Sequence, residues 1–154
     1  MKITLAAISP RRTRSKSDAI ERLLAEYIER AAHYSPCESQ IFESEAAFLN
    51  WLDRQRGRTS AYAILLDNRG QQYTSEEFSA QLGRIRDEGA QRLVLAIGPA
   101  DGWSAATRER ANLLLSLGWI TLPHQLARVV IAEQVYRALT ILAGHPYHSG
   151  HWFC

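Results

Sequence analysis

Apolar residues recur along this chain with two different periods, and the alternation between them predicts its architecture. Short apolar runs at 2–8 (KITLAAI), 61–67 (AYAILLD) and 92–98 (RLVLAIG), with weaker ones at 37–42 (CESQIF) and 112–118 (NLLLSLG), read as buried strands. Between them the apolar positions fall at three- and four-residue steps, which predicts helices over 17–34, 44–56, 75–88 and 104–112 and a long one over 123–143. Ser15 with Asp18 and Thr74 with Glu77 have the spacing of a capping box, in which a hydroxyl and a carboxylate satisfy amides that the first helical turn leaves free. This order of elements predicts an α/β fold with a mostly parallel sheet flanked by helices, and ligands in loops beyond the carboxyl ends of the strands. Those loops are DNRGQQYTSEEF (67–78), GPADGWS (98–104) and GWITLPH (118–124).

The last helix carries more than a surface helix needs. Leu126, Val129, Val130, Val135, Ala138, Leu139 and Leu142 mark one apolar face, yet His124, Arg128, Glu133, Gln134, Tyr136 and Arg137 share the same turns. These polar groups must find water, each other or a second surface. Glu133 and Arg137, four residues apart, are placed to form a helix-face ion pair.

With 154 residues and no Pro/Gly/Ser-rich linker or internal repeat, the expectation is a single domain over 1–154. No apolar run approaches the roughly 20 residues of a membrane span, and the start MKITLAAI lacks the flanks of a signal peptide, so a cytoplasmic protein is expected. Cys37 and Cys154 have neither the spacing of a metal knuckle nor the number of a disulfide framework. The formal charge of +2 is too small to hold a nucleic acid by the whole-molecule field. Any such contact is local, and SPRRTRSKS offers Arg11, Arg12, Arg14 and Lys16 with no acid between them, as either a solvated loop or a phosphate-contacting one.

Familiar cofactor signatures are missing: IGPADGW is not GxGxxG, and neither GxxxxGK[ST] nor GxSxG occurs. His145, His148 and His151 recur every third residue, but Pro146 and Gly150 argue against a helix that would align them, and no carboxylate or cysteine lies close in sequence. A solvated tail or a pair of working side chains therefore fits better than a metal site.

The segments LLDNRGQQYTSEEFSAQL, LAIGPADGW and LLLSLGWITLPHQLARVVIAEQVYRAL, with the ending HPYH, resemble the bacterial large-subunit ribosomal RNA pseudouridine N3-methyltransferase family, minimal members of the SPOUT methyltransferases. The resemblance runs along the whole chain in order and spacing. It implies a SPOUT methyltransferase fold with a carboxyl-terminal trefoil knot, S-adenosyl-L-methionine bound there in a bent shape, and a homodimer acting on the helix 69 stem-loop of 23S rRNA in the assembled ribosome. Carried onto this chain, it points to Leu66, Gly98, Leu117, Gly118, Trp119, Ile120, Thr121 and Leu122 as cofactor-binding, held largely by backbone groups. Tyr147 would stack on or hydrogen-bond the target base, and His148 would accept its proton or orient it. Arg128, one turn from His124, is a candidate for the cofactor carboxylate or an RNA phosphate, or for a purely structural tie; Arg11, Arg12 and Arg14 are the remaining RNA-contact candidates. No metal is implied.

Two departures stand out. The family commonly has two consecutive glycines where this chain has Gly98 and Pro99, and a basic residue after Tyr and His where this chain has Ser149. Proline fixes φ near −65° and removes an amide donor. A ribosome-binding SPOUT-like protein without catalysis, or a methyltransferase for another RNA base, therefore remains as an alternative. Cofactor binding separates enzyme from binder, and mapping the modified nucleotide separates the two enzymes.

Overall fold

The computed structural model describes residues 1–11, 18–55 and 59–149. Five strands, β1 (Lys2–Ile8), β2 (Cys37–Phe42), β3 (Tyr62–Gln71), β4 (Arg92–Ile97) and β5 (Leu113–Leu115), form one sheet in the order β2-β1-β4-β3-β5, with every neighbouring pair parallel. Between and after them run α1 (Asp18–Ala32), α2 (Glu45–Arg54), α3 (Ser75–Asp87), α4 (Ala105–Arg110) and α5 (His124–Leu142), and the described chain closes on a 3-10 turn at Pro146–His148.

Strict alternation in the central strands builds two cores. Ile3, Leu5 and Ala7 of β1 and Leu93, Leu95 and Ile97 of β4 face the core shared with α1, α3 and α5, while Ala6, Ile8, Val94 and Ala96 face Phe48 of α2 and Trp103. Both faces are covered, which is why these strands read as continuous apolar runs and not as alternating ones. α5 is sandwiched: ten of its residues are buried, among them Arg128 and Thr140. It packs against both α1 and α3. Leu126, placed by periodicity on the apolar face, is instead 40% exposed near the amino end.

Thr74 and Glu77 form the expected capping box, with Glu77 N donating to Thr74 Oγ1 at 3.1 Å and Thr74 N to Glu77 Oε2 at 2.8 Å. Ser15, the other expected cap, lies outside the described residues, whereas Ser44 and Ser104 cap α2 and α4. Two strand boundaries differ from expectation. β5 stops at Leu115: its last bond to β3 runs from the Ser116 amide to the Gln71 carbonyl at 2.8 Å, and Gly118 then takes φ 114°. β3 runs on to Gln71 through residues expected to be loop: after an irregularity at Leu66 it rejoins β5, and Gly70 passes so close that a Cβ there would lie 2.5 Å from the Leu114 backbone. Among the described residues, no helix is long and apolar enough to cross a membrane.

Candidate active site

The carboxyl ends of β3 and β4 and the segment after β5 enclose two adjoining clefts of about 510 and 250 Å³. The larger lies between residues 66–69, 97–103 and the start of α5; the smaller lies between Leu66, Ile97 and residues 115–122. They meet at a waist formed by Leu66, Asp67, Asn68, Ile97, Leu122 and Ala127. This is the position that an open parallel sheet offers for ligands, and the size suits a small molecule. The eight residues expected to bind cofactor all line it: Leu66 and Leu122 both lobes, Gly98 the larger, and Leu117, Gly118, Trp119, Ile120 and Thr121 the smaller.

The walls are fixed by backbone contacts. Trp103 is buried; its Nε1 donates to the Leu66 carbonyl at 3.1 Å and its ring lies where a Cβ on Gly98 would come within 2.8 Å. One indole thus ties the ends of β3 and β4 together, and only glycine leaves it room. Trp103 was not among the sequence candidates; a lone Trp in a Gly/Pro loop was its only mark. Ser116 Oγ accepts from Gly118 N at 3.1 Å, and the left-handed turn at Gly118 throws Trp119 and Ile120 out to 90% and 82% exposure.

Two titratable groups line the cleft with perturbed protonation. Asp67 accepts from the Arg69 amide at 2.9 Å, Nε at 3.1 Å and Nη2 at 3.3 Å. Burial alone would raise its carboxyl, but the Arg69 hydrogen bonds and the charges of Arg69 and Arg108 bring it below the ordinary range. His124 opens α5 after Pro123, which supplies no side-chain cap, and its Nε2 is buried without a hydrogen-bond partner among the described residues. Burial first, then the charge of Arg128, push its pKa below the usual imidazole value, against the opposing pull of the Ile8 and Gly98 carbonyls.

Of the readings open for Arg128, the geometry favours the structural tie over the ligand contacts. It is only 5% exposed, and its Nη1 donates to Glu21 Oε1 at 2.7 Å and to Gln125 Oε1 at 2.9 Å. A guanidinium held this way ties α1 to α5 and is not presented to an RNA phosphate or to the cofactor carboxylate. Arg11 is exposed, with its amide and Nε both 3.0 Å from Glu43 oxygens, while Arg12, Arg14 and Lys16 lie outside the described residues.

Tyr147 and His148 sit elsewhere. The 3-10 turn folds the tail back on α5, where the Tyr147 hydroxyl donates to Glu133 Oε1 at 3.0 Å and the Arg137 guanidinium lies 4.8 Å above the Tyr147 ring. Arg137 Nη2 donates to Glu133 Oε1 at 2.7 Å, the helix-face pair expected from the spacing. His148 Nδ1 lies 2.9 Å from Arg137 Nη1 and its Nε2 2.7 Å from Glu76 Oε1. A guanidinium only donates, so Nδ1 accepts and Nε2 carries the hydrogen given to Glu76. The His148 bond in turn holds the Glu76 carboxyl below the usual range, and burial with Glu133 pushes the Tyr147 hydroxyl well above its own. Glu76 was not among the sequence candidates; nothing in its spacing pointed to a partner 72 residues away. Arg137 stands 13 residues beyond His124, about 20 Å at 1.5 Å per residue along the helix, so within one chain the docked tail and the Gly98 lobe lie at opposite ends of α5. His151 lies outside the described residues.

A family model described as predicted SPOUT methyltransferase matches residues 1–148. The ribosomal RNA large subunit methyltransferase H of Koribacter versatilis (strain Ellin345) is 49% identical over 138 residues, covering 90% of this chain and 94% of its own. The protein of that name from Brucella ovis is 59% identical over 88 residues, covering 57% of this chain and 52% of its own. Among solved structures, the SpoU methyltransferase AviRb from Streptomyces viridochromogenes, in complex with the cofactor AdoMet, superposes with a TM-score of 0.50 at 14% identity, over 94% of this chain and 59% of that one. At that identity the likeness concerns the fold.

Proposed function

The chain belongs to the SPOUT methyltransferase family, and from that premise we propose that it transfers a methyl group from S-adenosylmethionine to N3 of a pseudouridine in the helix 69 stem-loop of 23S ribosomal RNA, acting on assembled ribosomes in the cytoplasm as a homodimer of 1–154 single-domain chains without a metal. The carboxyl-terminal trefoil knot implied by the family belongs to the same proposal.

The observation that carries it is the two-lobed cleft. Its combined lobes have room for a bent nucleoside ligand, it is lined by apolar side chains together with Asp67, Asn68 and His124, and at Gly98 a Cβ has no space beside Trp103. Residues 117–122 and Gly98 would hold the cofactor by backbone groups, with Leu66, Ile97, Leu122 and Ala127 excluding water from its centre. When bound, the cofactor supplies a methyl group already activated on a sulfonium.

The remaining work falls to the protein: aligning the target nitrogen and favouring its deprotonated form. Tyr147 and His148 are proposed to do this in the cleft of the other chain, since within one chain they lie too far along α5. A two-fold dimer built on the α5 face covers the same patch on both chains and brings each tail to the partner's cleft. With Nδ1 accepting from Arg137 and Nε2 donating to Glu76, His148 as docked has no free lone pair, so its role here is to orient; accepting a proton would require Nδ1 to give up its bond from Arg137. Arg11, Arg12 and Arg14 are proposed as phosphate contacts, and replacing all three with Ala should weaken ribosome binding and flatten its salt dependence.

The test is direct. Calorimetry with S-adenosylhomocysteine should show stoichiometric binding, and mass spectrometry of 23S rRNA from ribosomes incubated with the protein should place one new methyl on the pseudouridine. Binding without modification would favour the non-catalytic alternative, and a methyl elsewhere would favour a different RNA base.

A further inference from the structure

Among the described residues, only two polar side chains, Asp67 and Asn68, line both lobes of the cleft. Asn68 is exposed, whereas the Asp67 side chain is 5% exposed. A buried carboxylate is costly unless it ties elements together or serves a ligand. The Asp67 ion pair joins no two elements, for its partner Arg69 is two residues away on the same strand and 63% exposed. That pairing does something else. A carboxylate offers about four acceptor positions; the Arg69 amide and Nε occupy two on Oδ1 and Nη2 occupies one on Oδ2. One acceptor position on Oδ2 is left, in a side chain locked by a guanidinium fork and therefore organised before any ligand arrives.

Resting on the methyltransferase reading, we propose that Asp67 recognises the ribose of the cofactor by accepting a hydrogen bond from one of its hydroxyls. The waist decides which part of the ligand it meets. S-adenosylmethionine is adenine and a methionyl arm joined through ribose, and a ligand bent across two lobes puts an arm in each and its middle at the waist, where Asp67 stands. The fully ionised carboxylate that Arg69 maintains is an acceptor only, so it selects a hydroxyl donor.

The experiment measures binding by calorimetry, with S-adenosylhomocysteine and its 2′-deoxy and 3′-deoxy forms as ligands. The wild type should bind one deoxy form about tenfold more weakly or worse, the usual scale for a hydrogen bond to a charged group. Asp67→Asn, whose fold is checked by its melting temperature, should bind S-adenosylhomocysteine about as weakly as the wild type binds that deoxy form, and should treat the two ligands alike. Arg69→Ala keeps the carboxylate and should still discriminate between them, though it binds both less well. Wild-type indifference to both deoxy forms overturns the proposal with no variant needed, as does undiminished discrimination in Asp67→Asn. Loss of discrimination in Arg69→Ala as complete as in Asp67→Asn assigns the effect to loop shape and also overturns it. Failure of the wild type to bind S-adenosylhomocysteine at all sinks the methyltransferase reading itself, a distinguishable result.

Discussion

At the amino end of α5 the wall at Gly98 is set by backbone, glycine and the buried Trp103 indole, whereas at its carboxyl end the tail is held by an ion pair, a charged fork over a ring and a bridging imidazole. The first is an arrangement of shape, in which a Cβ added at Gly98 collides with the indole. The second is an arrangement of charge, in which single side chains can be removed while the backbone stays. The two ends should therefore fail differently, the cleft through ligand binding and the tail through catalysis.

The largest effect is expected at Gly98. Gly98→Val must displace the buried Trp103 ring and with it the bond to Leu66, costing about 1–3 kcal/mol of stability by overpacking. Calorimetry should show S-adenosylhomocysteine binding weakened about 100-fold or more, since misplacement of about an ångström has effects of that order. If the ligand binds Gly98→Val normally, the shape account of the cleft is wrong.

Arg137→Ala should separate the two ends most clearly. It strips the tail of its fork on Glu133 and its donor to His148, so ribosome methylation should fall roughly 100-fold through lost positioning, while the cofactor dissociation constant stays within about twofold. Arg137→Lys should restore little, because an ammonium cannot span Glu133 and His148 together. Equal losses in binding and turnover would erase the distinction between the ends.

How much of this was legible follows the same division. The parallel sheet could be read because β1 and β4 are buried on both faces and so appear as unbroken apolar runs. The end of β3 could not, because Asp67 to Gln71 is polar and its strand geometry depends on Gly70 pressing against β5, a contact between residues more than forty positions apart. The proposed cofactor contacts at Gly98 and 117–122 were reached only through family resemblance, since backbone contacts leave no charged motif. The Glu133–Arg137 pair was visible as a four-residue step, but Glu76 and Trp103 were not, because their partners are set by the tertiary fold. Arg128 had two readings from its place beside a cofactor loop, a ligand contact or a structural tie, and only the fold shows it buried against Glu21.

A smaller effect is expected from Tyr147→Phe, which removes one hydrogen bond to Glu133 and keeps the ring beneath Arg137. Stability should fall by about 1 kcal/mol, and the turnover of ribosomes severalfold, with the Michaelis constant for S-adenosylmethionine unchanged. A loss as large as that of Arg137→Ala would mean that the hydroxyl itself touches the reacting base.

The smallest effect concerns pH at the cleft. His124 has a folded pKa below its unfolded value of about 6.5, so in mild acid the unfolded chain takes up the proton first. Its contribution to stability is present above that value and is lost as the pH falls towards the lowered folded pKa. The melting temperature of the wild type should therefore drop between about pH 7 and pH 5 by more than that of His124→Gln. Parallel curves would show that His124 titrates as it does in the unfolded chain.

The central claim is that cofactor cleft and working tail belong to different chains of a dimer. Two variants, Gly98→Val and His148→Ala, each expected to be inactive alone, are mixed, allowed to exchange subunits and assayed for methylation of ribosomes. Half of the randomly mixed dimers pair one variant with the other, and each such dimer has one intact cleft facing one intact tail, so activity should return to about a quarter of the wild-type level. A mixture as inactive as its components, or a wild-type protein fully active as a monomer, would contradict the shared site.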